Sequence, residues 1–171
     1  EKVSELAHKA GALVVVDNVF ATSILQKPLD LGADIVMYSA TKHIDGHGRA
    51  IGGAILGKNK FCDKYIKPFI RNTGPSLSPF NAWVLLKGLE TIELRINQQV
   101  INTEKIISYL EKKNFIKEIH YPFSKKNKYY KLAKKQMKAG GSILSFRIKC
   151  DPKIEQKKSF KFLNNLKLIK M

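Results

Sequence analysis

Two hydroxyls and a lysine in the run Tyr38-Ser39-Ala40-Thr41-Lys42 are the residues of this chain best placed for chemistry. Ser39 and Thr41 are two apart, so on an extended backbone they share one side, and Lys42 leaves on the other. Glycines at 46, 48, 52 and 53 follow, which lets the backbone turn sharply and come close to a ligand. Upstream, the β-branched run Leu13-Val14-Val15-Val16 ends at Asp17. An unpaired carboxylate at the end of a buried strand is costly, so Asp17 either meets a ligand or caps a turn. A lysine after a strand is ordinarily a solvated surface residue. Hydroxyls, glycines and an upstream aspartate together shift Lys42 towards function.

A lysine amine beside two hydroxyls suits a ligand with both a carbonyl and a phosphate, and pyridoxal 5'-phosphate has both. The motifs carry a resemblance as well. Asp17, then Ser39-Ala40-Thr41-Lys42, with Gln26-Lys27-Pro28-Leu29 and Gly32-Ala33-Asp34-Ile35-Val36 between them, resemble the Cys/Met-metabolism family of pyridoxal-phosphate enzymes. These are the cystathionine synthases and lyases, methionine lyases and homoserine-ester sulfhydrylases. A second block, Gly74 to Trp83 and on through Gly88-Leu89-Glu90-Thr91, is most similar to the O-succinylhomoserine sulfhydrylase branch. Gly48-Arg49 after His47 fits that branch better than the lyases, and Ser23 stands where many relatives have proline.

The resemblance implies roles for individual residues. Lys42 would hold the cofactor as a Schiff base and, once freed, move protons between substrate carbons. Asp17 would keep the pyridine nitrogen protonated. Ser39 and Thr41 would donate hydrogen bonds to the phosphate, with local backbone capping as their competing use. Arg71 and Asn72 lie where relatives often have polar residues near the site, and are further candidates.

The resemblance also implies an α/β fold of pyridoxal-phosphate fold type I, aspartate-aminotransferase-like. Residues 1–94 would be the C-terminal part of a three-layer, cofactor-binding large domain, and 95–171 the start of a smaller α/β domain. The implied reaction is γ-replacement on an O-acylhomoserine, O-succinylhomoserine plus sulfide giving homocysteine, in methionine biosynthesis. Cystathionine γ-synthase and methionine or cystathionine γ-lyase are the rivals. The implied assembly is a homotetramer of active dimers. Relatives take the ring-stacking aromatic residue and the partner-subunit phosphate contacts from sequence upstream of Glu1, and the arginine for the substrate carboxylate from beyond Met171. The 171 residues are therefore expected to be a central fragment, inactive alone.

Composition bounds the alternatives. A chain of 171 residues with 44% hydrophobic content is ordinary for a globular protein. The net charge of +17 is uneven: residues 1–100 hold 12 Lys+Arg against 9 Asp+Glu, and residues 101–171 hold 19 against 5. Such a basic half could serve a nucleic-acid-binding module. Its lysines do not interleave with stacking aromatics or fall in a recognition motif, which favours a solvated helical surface and no nucleic-acid partner. Cys62 and Cys150 stand in unrelated contexts, with neither zinc spacing nor a disulfide framework. His43 and His47 are four apart, but Gly46 and Gly48 oppose a helix and no third ligand is near, so no metal is expected. No apolar run approaches the roughly 20 residues of a membrane helix, and the default location is the cytoplasm.

The remaining pattern predicts elements to position the site. Residues 1–10 read as the end of a helix stopped by Gly11. The run 13–16 reads as a strand buried on both faces of a parallel sheet. Residues 18–31 read as a loop, 34–38 and 52–57 as strands, and 58–70 as an amphipathic helix kinked or stopped at Pro68. A long helical pattern, 82–112, should break after Gly88. Strands near 116–121 and 143–148 alternate with helices near 129–137 and 154–166, a βαβα order for a second α/β unit.

Overall fold

The computed structural model describes residues 1–169. Helix α1, Lys2–Lys9, ends just before Gly11, whose φ of +72° suits a residue without a Cβ. Strand β1, Val15–Asp17, is shorter than the apolar run and begins two residues later. It pairs in parallel with β2, Ile35–Ser39, setting Asp17 opposite Met37. Strand β3, Gly53–Gly57, returns antiparallel on the other side of β2 and sets Gly53 opposite Ser39. The order β1-β2-β3 therefore gathers the end of β1, the end of β2 and the start of β3 at one edge.

Burial of β1 on both faces is not what the fold shows. Val15 is 55% exposed, and Met37 and Ile55 on the same face of the sheet are also open. Val36, one residue on from Ile35, is 2% exposed. Alternation does not account for the contrast: Ile35, on the same face as Val15 and Met37, is 8% exposed, and Leu56, opposite Val36, is 42% exposed. Burial is concentrated at Ile35 and Val36 of the central strand β2.

Residues 18–31 are more ordered than a loop. They hold helix α2, Thr22–Leu25, and a 3-10 turn, Pro28–Leu31. Four residues are too few to show a helical period, which is why the pattern hid them. Leu25 from α2 joins the core formed by Ile92, Ile96 and Val100. The segment after β3 is helical in three pieces: α3, Asn59–Phe61, a π-type turn, Cys62–Ile66, and α4, Lys67–Thr73. Pro68 sits in the first turn of α4, where a missing N–H costs little, and Gly74 ends the helix at φ +82°.

Ser78 accepts from the Asn81 N–H at 3.2 Å and caps α5, Pro79–Leu89. After the expected break at Glu90–Thr91 comes α6, Ile92–Leu110, with Ile92, Ile96, Val100, Thr103, Ile107 and Leu110 on its buried stripe. Helix α6 passes Leu94 without interruption. Residues beyond it rest on residues before it: Ala139 packs on the Leu25–Ile96 core, and the Lys138 N–H donates to Leu25 O at 2.8 Å. The last third follows the expected order. Strand β4, Ile116–His120, leads to α7, Tyr130–Gln136, then β5, Ser145–Ile148, a 3-10 turn, Pro152–Ile154, and α8, Glu155–Asn164. Strands β4 and β5 pair antiparallel, and Arg147 ties Glu118 to Glu155 across them. No helix among the described residues is long and apolar enough to cross a membrane.

Candidate cofactor-binding site

The sheet edge brings together the four residues singled out from the sequence. Asp17 ends β1, and Ser39 ends β2 at the same edge. Ala40–Ile44 then form a π-type turn that carries Thr41 and Lys42. Lys42 is exposed and departs from helical geometry at φ −85°, ψ −108°. Single π-type turns recur at functional sites, where they redirect one side chain out of a regular ladder.

Asp17 is exposed, and one carboxylate oxygen accepts from the Val19 N–H at 3.0 Å. That contact holds its rotamer and leaves the other oxygen for a ligand donor. Ser39 makes no capping bond to the turn that follows it. Thr41 does differ from the expectation. The extended backbone stops at Ser39, so the two-residue alternation does not carry Thr41 to the Ser39 side by geometry alone. Its hydroxyl accepts from Gly52 N–H at 3.1 Å and donates to Gly52 O at 3.4 Å. Thr41 thus ties the lysine turn to the strand that returns beside it.

Below the turn, Ala40 and Ala50 pack on Val84 and Leu85 of α5. A loop from Asp45 to Arg49 is held by one carboxylate. Asp45 is 0% exposed and accepts from Arg49 N–H at 2.6 Å, Arg49 Nε at 3.0 Å and His47 N–H at 3.3 Å. The Arg49 N–H is the chief reason its carboxyl sits below the ordinary aspartate range, with the Arg49 side chain and His47 N–H adding to it and burial opposing. The sign follows directly. A depressed folded value makes the ionised form a contributor to stability above the unfolded value of about 3.9, and that contribution is lost as pH falls through the folded value. Asp45→Asn should lower the urea midpoint at neutral pH and flatten its fall on acidification. A midpoint–pH curve superimposable on that of the parent chain would refute this role.

His43 and His47 each have a neighbour within the chain. His43 meets the Phe20 ring edge-on at 6.3 Å between centroids, and burial lowers its pKa, so the imidazole is neutral near pH 7. His47 Nδ1 lies 3.0 Å from Asp45 O within the loop. Arg71 and Asn72 lie on the last turn of α4, beside a surface hollow shared with Asp63, Lys67 and Pro68.

Three residues that sequence reasoning passed over support this edge. Asn18 is 2% exposed, and its amide donates to Thr22 O and Gln26 O at 3.0 Å each, with the Tyr38 hydroxyl at the same distance. Thr22 sits at φ +59°, a conformation that costs a β-branched residue on the order of 1–3 kcal/mol. The Asn18 bond and the Ile24 N–H on the Thr22 hydroxyl hold it there. Arg95 is the third: its guanidinium reaches the His43, Ile44 and Gly88 carbonyls at 2.9, 3.3 and 2.7 Å. Asn18 follows Asp17 at once and could have been suspected from that adjacency. Nothing in the sequence around Arg95 marks it.

A family model for Cys/Met metabolism PLP-dependent enzymes matches residues 1–171. The chain belongs to this family. Its cofactor is pyridoxal 5'-phosphate. Over 167 residues the chain is 45% identical to an O-succinylhomoserine sulfhydrylase of Mycobacterium tuberculosis, covering 98% of this chain and 41% of that protein. Over 144 residues it is 40% identical to an L-methionine gamma-lyase of Treponema denticola, covering 84% and 36%. The crystal structure of metB from Corynebacterium glutamicum matches with a TM-score of 0.92 at 33% identity, covering 99% of this chain and 43% of that one. The architecture is therefore the α/β fold type I of the pyridoxal-phosphate enzymes. The chain spans about two fifths of the length of the curated relatives it matches.

The residues present fit the cofactor on their own chemistry. A carboxylate oxygen, an uncapped serine hydroxyl and an exposed lysine converge at one sheet edge, where open α/β sheets receive ligands.

Proposed function

We propose that this chain carries the cofactor-binding centre of a pyridoxal-phosphate-dependent γ-replacement enzyme acting on an O-acylhomoserine, with O-succinylhomoserine and sulfide as substrates and homocysteine as product. The observation that carries the reading is the convergence of Asp17, Ser39, Thr41 and Lys42 at one sheet edge. The similarity to a sulfhydrylase over 98% of the chain supports the choice of branch.

Bound there, the cofactor supplies an electron sink for carbanions on the substrate. Lys42 is the residue that would hold it through Nζ, and its amine would be free once substrate is bound. The freed Lys42 amine then removes the Cα proton and serves the second proton transfer, at Cβ, that lets the acyloxy group leave Cγ. The nucleophile adds at Cγ. Asp17 keeps a proton on the ring nitrogen through its free oxygen, and Ser39 donates to the phosphate. Thr41 acts first on the backbone, by fixing the turn against Gly52. On this reading residues 1–94 belong to the cofactor-binding domain and 95–171 begin the smaller one, with α6 shared between them.

The proposed assembly is a tetramer of active dimers in the cytoplasm. Phe80, Trp83 and Leu86 on α5 are more than half exposed, an apolar face that suits burial against further protein.

Full-length enzyme given O-succinylhomoserine or O-acetylhomoserine, each with sulfide or cysteine, should form homocysteine most efficiently from the succinyl ester and sulfide. Cystathionine as the main product with cysteine would move the enzyme to the synthases. Release of α-ketobutyrate from methionine at comparable efficiency would make it a γ-lyase.

A further inference from the structure

The turn that carries Lys42 is gripped from a point far along the chain. Arg95, in the first turn of α6, donates Nη1 to His43 O at 2.9 Å and Nη2 to Ile44 O at 3.3 Å and Gly88 O at 2.7 Å. Its Nε donates to Thr91 Oγ1 at 3.1 Å, which aims the fork. Arg95 spends its Nη donors on backbone carbonyls and its Nε on a hydroxyl, and forms no ion pair among the described residues. An arginine kept merely for charge or solubility would face solvent or a carboxylate.

Two glycines are cut to fit the same grip. A Cβ on Gly46 would collide with the Arg95 guanidinium, and a Cβ on Gly88 would run into Ile44 O. The carbonyls held are those of the two residues directly after Lys42, at the place where the backbone leaves helical geometry. Within the turn, Asp45 N–H donates to Ala40 O and Gly46 N–H to Lys42 O, both at 2.8 Å, which leaves the His43 and Ile44 carbonyls to Arg95.

We propose that Arg95 is the positioning residue of the Lys42 turn: by pinning the His43 and Ile44 carbonyls against Gly88, it sets the direction in which the Lys42 amine leaves the backbone. The proposal rests on the cofactor-holding role of Lys42 given above. Arg95 touches neither cofactor nor substrate and acts only through the turn. A lysine at 95 keeps the charge but presents its donors at a single point, which cannot span three separate carbonyls.

The experiment uses full-length enzyme loaded with pyridoxal phosphate. Borohydride fixation of the cofactor in the parent enzyme is mapped first. Label on a peptide lacking Lys42 would overturn the Lys42 role, and the positioning role with it. With label on Lys42, Arg95→Lys is compared with the parent in kcat, KM, melting temperature and the pH midpoint of the visible absorption change of bound cofactor. A misplacement of about 1 Å at a reacting group costs on the order of 100-fold, so kcat should fall by one to two orders of magnitude while KM moves little. The spectral midpoint should be displaced and the melting temperature nearly kept. An unchanged midpoint and kcat would overturn the positioning role alone, as would a loss seen only as a lower melting temperature. If Arg95→Lys does not fold, Thr91→Val removes only the Nε acceptor. It should displace the midpoint and lower kcat in the same sense, and parent values for both would overturn the proposal.

Discussion

Full-length enzyme with Lys42 replaced by alanine is expected to lose turnover by about 10³-fold or more, because the covalent anchor and the proton carrier are the same amine. Lys42→Arg should lose as much. A guanidinium keeps the charge but stays protonated, so it neither attacks a carbonyl nor accepts a substrate proton. Lys42 is exposed, so both variants should melt near the parent temperature. Steady-state rates with O-succinylhomoserine and sulfide, read beside a melting curve, make the check. Parent-like turnover in Lys42→Ala would end the assignment. Loss in alanine but rescue by arginine would reduce Lys42 to an electrostatic contact.

Asp17→Asn should lower turnover by about 10²–10³-fold, the range seen when one preorganised electrostatic partner is removed from a developing charge. An amide oxygen can still accept from Val19 N–H, so the local turn and the stability should persist. What disappears is the negative charge that keeps a proton on the ring nitrogen. Asp17→Ala separates the two uses, since it removes both the charge and the turn contact. If Asp17 only shaped the turn, Asp17→Asn would match the parent and only the alanine variant would fail. Rates and melting temperatures of the pair decide between the two accounts.

The two predictions differ in what they ask of the fold. On the proposed reading Lys42 would act through its own amine, an expectation drawn from the Ser-x-Thr-Lys run with Asp17 upstream. Asp17 would act only because β1 and β2 run parallel and in register, so that two strand ends twenty-two residues apart in sequence lie side by side. Motif spacing implied that neighbourhood, and strand pairing produced it.

Local chemistry along the chain fixed a good deal. The helix stop at Gly11, the break after Gly88 and the alternating elements beyond residue 115 are where turn residues and apolar periods put them, and the strand expected over 34–38 lies one residue on, at Ile35–Ser39. These depend on neighbours within a few residues, which is the range over which backbone preference and side-chain period act. Short α2 and the strained Thr22 escaped, because four residues show no period and a positive φ at a β-branched residue opposes local preference.

Only the tertiary structure decided how the lysine turn is held. The Thr41 hydroxyl also ties the turn to Gly52, because the backbone curls at Ala40 and leaves the extended path that the sequence suggested. Asp45 is the buried acceptor that closes its glycine-rich loop, a role that depends on the Arg49 and His47 backbone folding back onto it. Arg95 carried no mark at all, since its partners are backbone carbonyls of residues around fifty positions earlier, and every residue type has a carbonyl. Side-chain identities name the groups that do chemistry. Contacts made through the common backbone leave no pattern in the sequence, and they exist only once α6 packs against the turn.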